Sequence, residues 1–506
     1  MYDGIDYVPA HRAVLLGHHF SSIAGAGPIV GPIIAAIAFG WLPALLWVLI
    51  GCIFIGAVHD FSSLVASIRH HARSIADIAK EYLSPKAQKL FLLFVWLALI
   101  YIVVVFVDLT SVTFVQDGGV ATSSLFYILL AVLFGLSLYR FKLNLAAASA
   151  VFVPLVFVVI FAGQLLPLDI SSVIVVPLEE GKLWSLILLV YCAVASILPV
   201  WLLLQPRDYL SSFLLYACVF FGIIGILFGD AQIHYPYFVR FNAPALGLMF
   251  PVLFITVACG AISGFHSLVA SGTSSKQLNK ESDALVIGYG AMLLEGIVAV
   301  IAIAAVAFLT TQSEMLKQQP LMIFASAMGK FFSTFHLDPQ QGVHFGLLAL
   351  SAFILTTLDT ATRIGRYVFQ EFFSLKGASG RIVGTLATII IPCIMIFMNF
   401  KDPQGNNIPA WKIIWPLFGS TNQLLGALAL LVIYVWLRKK YTGSLFILFP
   451  MLFMLVVTLS SLFMLILKYA LSLIGIIAIL LFCLALFLIY ETASIVFKWN
   501  GDVKKN

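Results

Sequence analysis

Several short constellations of polar residues interrupt an otherwise apolar sequence, and their types name the chemistry open to them. Glu295 lies between Leu294 and Gly296 within a long apolar run, with no basic residue near it in sequence. A glutamate kept from water can hold a proton near neutral pH, and ionisable groups at membrane depth usually serve function. Glu295 is therefore the leading candidate for carrying a proton; a neutral glutamate bonded between helices is the competing reading. His59-Asp60 is the second candidate, since histidine titrates near physiological pH and a carboxylate tunes it. Neighbours on a helix point about 100° apart, so these two need not touch. His18-His19 opens the first apolar run and is read as lining an inner access path. Two adjacent histidines are weak ground for a metal site, and no metal or cofactor is expected.

Three further segments carry hydroxyls and amides. Gly260, Ser263, Gly264, Ser267 and Ser271 recur at spacings of three and four, with His266 beside them. Such a stripe permits close helix packing and equally could line a substrate cavity. Asp359 and Arg363 are four apart and could pair, while Thr357 and Thr360 could ligate sodium. Asn422-Gln423 must find partners in other helices or in substrate. Asp108 falls near the outer end of its run, where it can reach water.

The elements that position these residues follow from composition. Hydrophobic residues make up 62% of the 506 positions and charged residues 10%, against about half and a quarter in a soluble domain. Mean hydropathy is +1.08. Lipid must cover such a chain, so the bilayer is a partner and nucleic acid is not; the net charge of +6 reports where loops lie. The acidic, polar start Met1–Pro9 is no cleavable leader. The six cysteines each stand alone in apolar sequence and read as small buried hydrophobes.

Fourteen windows are long and apolar enough to span: 14–38, 42–68, 89–115, 120–139, 143–166, 183–205, 209–229, 244–271, 284–310, 342–362, 382–400, 412–437, 443–467 and 472–497. If the first connection after 42–68 is cytoplasmic, that side collects 21 of the 28 Lys and Arg, and both termini are cytoplasmic. Leu321–Phe332 reads as a surface or re-entrant helix, and Asp402–Pro409 as a polar loop. The expected organisation is a cytoplasmic segment 1–13, a core 14–362, additional helices in 363–497 and a tail 498–506.

The first window contains Gly25-Ala26-Gly27-Pro28 and then Gly31-Pro32, and the sixth contains Ser196-Ile197-Leu198-Pro199. Proline removes a helix hydrogen bond, and freed backbone at membrane depth survives only in protein or around a polar cavity. Broken helices five apart and oppositely directed point to inverted five-helix repeats, here 14–166 and 183–362, as in secondary transporters. Two ordinary kinks are the plainer alternative. There is no Walker A motif, no HExxH and no GxSxG, so the chain is not read as an ATP-driven pump or an enzyme.

Asp3–Ala36, Gly56–Ile75, Leu198–Leu210, Cys259–Leu278, Thr356–Tyr367 and Trp415–Ala427 closely resemble the signature blocks of the carbon starvation protein A family. The resemblance implies an inner-membrane transporter used under nutrient limitation, for peptides or, in some members, pyruvate taken up with protons. It also implies kinship with the APC superfamily and its inverted five-helix repeats. Relatives usually carry a further hydrophobic helix before the Asp3-Gly4-Ile5-Asp6-Tyr7 block, so this chain is read as a truncated or shortened member.

The expectation is thus an all-α polytopic membrane protein of about fourteen spans. It is a secondary transporter for a peptide or pyruvate, coupled to protons with sodium as the alternative; a channel or a nutrient sensor is the rival class. Amides near Gly25, Ala26 and Gly27 would receive the substrate carboxylate. Ser196 and Gln205 would face them, and His59, Ser263, His266, Asn422 and Gln423 would complete the cavity. Glu295, His59, Asp60, Asp359, Thr357 and Thr360 are the ion-coupling candidates. Oligomeric state is not legible.

Overall fold

In lipid, backbone groups must be satisfied within the segment, which leaves a chain this apolar little choice but helix. The computed structural model describes residues 6–174, 177–229, 232–244, 246–398, 400–401, 407–440, 444–470 and 472–503. Positions 1–5 of the expected N-terminal segment, 402–406 of the polar loop and Lys504–Asn506 of the tail lie outside the described residues. Among the described residues, twelve unbroken helices are long and apolar enough to cross a membrane, and a bent pair makes a thirteenth.

The bent pair is α1 (Arg12–Ile23) and α2 (Gly27–Phe39), angled by 41°. There follow α3 (Trp41–Arg69), a short α4 (Ile75–Tyr82), α5 (Pro85–Gln116), α6 (Gly118–Tyr139), α7 (Leu145–Leu165), α8 (Glu180–Ile197) and α9 (Leu204–Phe228). The eighth window is a second broken helix, α10 (Met249–Thr256) and α11 (264–277), joined by non-helical backbone. Then come α12 (Glu281–Ala307), α13 (Pro320–Ser333), α14 (Pro339–Phe373), α15 (Gly377–Phe397), α16 (Ala410–Lys440), α17 (Leu445–Tyr469) and α18 (Leu473–Val503). The two-residue strand pairs 242–243 with 247–248 and 400–401 with 407–408 close turns in connections.

The partner of the broken first helix is therefore not the sixth window. Helix α8 is unbroken and ends at Ile197; Pro199 lies in the connection to α9. Its last carbonyls are taken by Arg363, whose Nη2 donates to Ala195 O (2.6 Å) and Leu198 O (2.5 Å). The break is in the eighth window instead. Two series of elements then run in the same order: broken helix, long helix, short helix, long helix and two more. The first is α1/α2, α3, α4, α5, α8, α9; the second is α10/α11, α12, α13, α14, α15, α16. The hairpin α6–α7 is inserted in the first series, and α17–α18 follow the second. Packing repeats with the order. Helix α5 lies against α14; α1 lies on α9 as α10 and α11 lie on α16; α4 touches α5 and α16 as α13 touches α14 and α9. The segment expected on the surface, now α13, is mostly buried by these contacts.

Burial sorts centre from periphery. In the most apolar stretch of α16 89% of residues are buried, in α14 83% and in α5 78%, against 22% in α7 and 28% in α18. A central site must therefore lie among α5, α14, α16 and the broken helices. The connections that the charge count placed on one side meet at one end. There Arg69 Nε bonds Glu281 (2.6 Å), Ser74 bonds Glu371 (3.0 Å), Ser84 bonds Glu491 (2.7 Å) and Arg363 bonds Asp6 (3.0 Å). At the other end Leu42 N donates to Tyr237 O (3.0 Å), Tyr235 N to Ala307 O (3.0 Å) and Trp411 N to the Asp108 carboxylate (2.9 Å).

Candidate functional site

The two breaks face each other. Helix α2 starts at Gly27 without a side-chain cap, and glycine is required there by close approach. A Cβ on Gly25 would stand 2.6 Å from Thr357 Oγ1, one on Gly27 would run into Cys259, and one on Gly31 into the Thr256 carbonyl. The unwound 257–263 segment is held from α16. Gln423 donates to the carbonyls of Phe254 (3.1 Å) and Ile262 (3.2 Å). Asn422 Oδ1 accepts from Phe265 N (2.9 Å), and its amide donates to Ser263 Oγ (2.9 Å). Both amides thus serve the backbone freed by the break, as buried polar groups must.

Beside that break lies a cluster of four ionisable side chains, each 0% exposed. Asp60 is hydrogen-bonded through Oδ1 to His59 Nδ1 and through Oδ2 to His266 Nδ1, both at 2.8 Å. His59 and Asp60 therefore do touch. His266 Nε2 stands 3.3 Å from Glu295 Oε2, so Glu295 has an imidazole beside it although no base is near it in sequence. The contact is not a hydrogen bond: both Glu295 oxygens, His266 Nε2 and His59 Nε2 have no hydrogen-bond partner among the described residues. The cluster ties together α3, α11 and α12. One turn before His59, α3 contains a π-helical turn (Cys52–Gly56), and a second (Ala270–Ser274) follows His266 in α11. Such turns re-aim the residues beside them. Two carboxylates and two imidazoles with no arginine or lysine among them can exchange a proton among fixed positions.

A second buried network neutralises Asp359. Arg207 pairs with both Asp359 and Asp208, and donates to the Tyr191 hydroxyl (2.5 Å), which itself donates to Asp359 (2.8 Å). His18 Nδ1 meets the other oxygen of Asp208 at 2.5 Å. The expected Asp359–Arg363 pair is not formed, because the Arg363 guanidinium reaches Asp6 and the end of α8 instead. Thr357 donates to Ser22 O (3.1 Å), and Thr360 shares a hydrogen bond with the Ser22 hydroxyl (3.2 Å). These hydroxyls are engaged beside the break in the first helix. His19 bonds Ser274 (2.8 Å), and both His18 and His19 are 0% exposed. Ser196 bonds Thr385 on α15 (3.2 Å), and Gln205 donates to Val8 O (3.2 Å) and Gln277 (2.8 Å). The latter two do not join the breaks.

At the first end, Asp6 straps the chain before α1 onto α14, accepting from Arg363, Arg366 (3.3 Å) and the Tyr367 hydroxyl (2.6 Å). Burial pushes the Asp6 carboxyl up, but Arg366, Arg363, Tyr367 and Lys276 outweigh it and hold it below the ordinary carboxylate range. A cavity of about 220 Å³ opens beside this strap, lined by Lys276, Arg73, Ser271 and Gly272 among others. Sequence reasoning passed over Arg207, Asp208, Tyr191 and Asp6. The one signal available was an Arg-Asp pair opening the apolar run of α9.

Comparison with known proteins gives three findings. The family model described as carbon starvation protein CstA matches residues 1–317 and 310–461. The peptide transporter CstA of Helicobacter pylori is 32% identical over 91% of this chain and 75% of its own length. The pyruvate/proton symporter BtsT of Escherichia coli is 30% identical over 86% of this chain and 72% of its own. Among solved structures, a manganese transporter of Eremococcus coleocola superposes with a TM-score of 0.52 at 13% identity, covering 97% of this chain and 99% of that one. MhsT in complex with L-phenylalanine gives 0.51 at 14% identity, covering 96% and 99%. The structural likenesses establish the fold alone. Among the described residues no group of three or more His, Cys, Asp or Glu could hold a metal ion.

Proposed function

Because the chain belongs to the carbon starvation protein CstA family, we propose that it moves a small carboxylate-bearing nutrient, a peptide or pyruvate, across the bacterial inner membrane together with a proton. Its relatives are named for those two substrates. The observation that carries the proton is the buried cluster His59–Asp60–His266–Glu295 at the break in α10/α11. A proton on Glu295 leaves a neutral acid beside His266; without it, a second carboxylate is uncompensated where desolvation is costly. Protonation thus biases whether His266 binds α12 to α3, and through His266 the position of α11. The two matching series of helices run in opposite directions and act as inverted repeats, with the breaks as their shared centre.

In this conformation the candidate residues at both breaks are closed off, with Gly25 and Gly27 packed against Thr357 and Cys259. Substrate enters when the repeats rock apart, and its carboxylate then meets the uncapped start of α2. Asn422 and Gln423 shape the break through their hydrogen bonds to its backbone. The end closed by Asp6 is the cytoplasmic one, which puts the start of the chain and the end of α18 inside, by the excess of Lys and Arg there. Uptake of labelled pyruvate and of a labelled dipeptide by cells lacking their own carriers tests this reading. Accumulation of either that collapses with a protonophore supports it; accumulation that the protonophore spares removes the proton.

A further inference from the structure

The outer end of the molecule holds few cations, and they are not spread evenly. Of the 28 Lys and Arg, the sequence places only seven at this end. Three of them, Arg240, Lys317 and Lys412, line one cavity of about 660 Å³. A fourth, Lys468, lines an adjoining cavity of about 290 Å³ that shares Pro244, Leu246, Trp415 and Pro416 with the first. No described carboxylate lines either cavity. Lys317 is paired outside, with Glu314 at 2.7 Å. Arg240 and Lys412 have no carboxylate partner among the described residues. Grouping like charges around one hollow costs energy unless something negative enters it.

The position is that of an entrance. The cavity is bounded by the outer end of α2, by the connection before α10, by the segment leading into α13 and by the start of α16. Its wall includes Trp411 and Trp415, 5% and 6% exposed and edge-to-face at 6.1 Å, and neither indole N–H has an acceptor among the described residues. From Trp411, α16 descends to Asn422 at the break, about 16 Å at the rise of an α-helix. A cationic rim over an aromatic floor, of a size within the about 300–1,000 Å³ of ligand sites, suits an anion with an apolar body.

We propose that this cavity is a capture site for the carboxylate of the solute, held by Arg240 and Lys412 with Lys317 in support, before it passes along α16 to the breaks. The solute class rests on the transport reading above; the anion site rests on the cavity. Charges lining a cleft raise the local concentration of an opposite ion by about 10- to 1,000-fold, and salt screens the effect.

The test is equilibrium binding of labelled pyruvate and labelled dialanine to the purified full chain at rising sodium chloride, with amidated dialanine as a competitor. The unaltered protein should bind at least one probe more weakly as salt rises, and the amide should compete poorly. The double variant Arg240→Gln/Lys412→Gln should bind about tenfold more weakly and lose its salt dependence, while Arg240→Lys/Lys412→Arg should keep both. If the double glutamine variant binds as tightly and with the same salt slope as the unaltered protein, or if neither probe binds the unaltered protein, the capture site is overturned. Uptake that ignores a protonophore would instead remove the proton coupling and leave this site standing.

Discussion

Replacing Arg207 with methionine removes the cation shared by two carboxylates, Asp208 and Asp359, all three side chains being 0% exposed. Breaking a buried ion pair by deleting one partner costs about 3–5 kcal/mol, because the remaining charge stays desolvated. Here Asp208 keeps His18 at 2.5 Å and Asp359 keeps the Tyr191 hydroxyl at 2.8 Å, so the loss should fall within that range and not double it. Asp359→Asn is milder. It leaves Arg207 on Asp208 at 3.0 Å and forfeits a charged hydrogen bond, about 1.5–3 kcal/mol. The informative variant is the pair. Arg207→Met/Asp359→Asn has one stranded carboxylate fewer than Arg207→Met alone, so it should be the more stable of the two by at least about 1 kcal/mol. Denaturation midpoints of the purified chain in mild detergent measure all three. A double variant less stable than Arg207→Met by the full cost of Asp359→Asn would refute the reasoning, since the residues would then act independently.

Gln423→Leu should leave the carbonyls of Phe254 and Ile262 without their donor, at about 1–3 kcal/mol each; unchanged stability together with unchanged uptake would show that the break does not need this amide. Gly27→Val should abolish uptake even where the protein folds, since Cys259 occupies the space a side chain needs; uptake within twofold of the parent would contradict the close approach. Asp6 gives a pH dependence whose sign is fixed. Its folded-state carboxyl titrates below the ordinary value, so its contribution is complete above about pH 4 and is lost as pH falls through the folded value. Asp6→Asn should therefore lower thermal stability at pH 7, by an amount that shrinks as pH falls below the ordinary carboxylate value; a difference that does not change with pH would exclude the strap as its source.

The spans were legible because a run of some twenty apolar residues has few other readings. The sorting of connections into two ends was legible, because those rich in Lys and Arg meet at one end, as the Arg69–Glu281 and Arg363–Asp6 contacts show. Which helix pairs with the broken first one was not. Counting five windows onward led to Pro199, but the inserted hairpin α6–α7 shifts the correspondence by two helices, and hydropathy does not mark an insertion. The break in α10/α11 carries no proline between Thr256 and Gly264; it depends on Asn422 and Gln423, more than 150 residues away. For the same reason Glu295 looked isolated. Its neighbour His266 comes from another helix, and side-chain partners across helices leave no local trace. Asp359 and Arg363 show the converse, a helical spacing that permits a pair which tertiary partners override.

The central claim is that a proton held at Glu295 is coupled to solute movement. The direct measurement is solute uptake into vesicles of the reconstituted chain, driven by an imposed pH gradient, compared for the parent and Glu295→Gln, with equilibrium exchange of the same solute measured in parallel. The account predicts that the gradient drives accumulation in the parent and none in Glu295→Gln, while exchange persists in both because the glutamine mimics the protonated acid. Gradient-driven accumulation that survives in Glu295→Gln would contradict it.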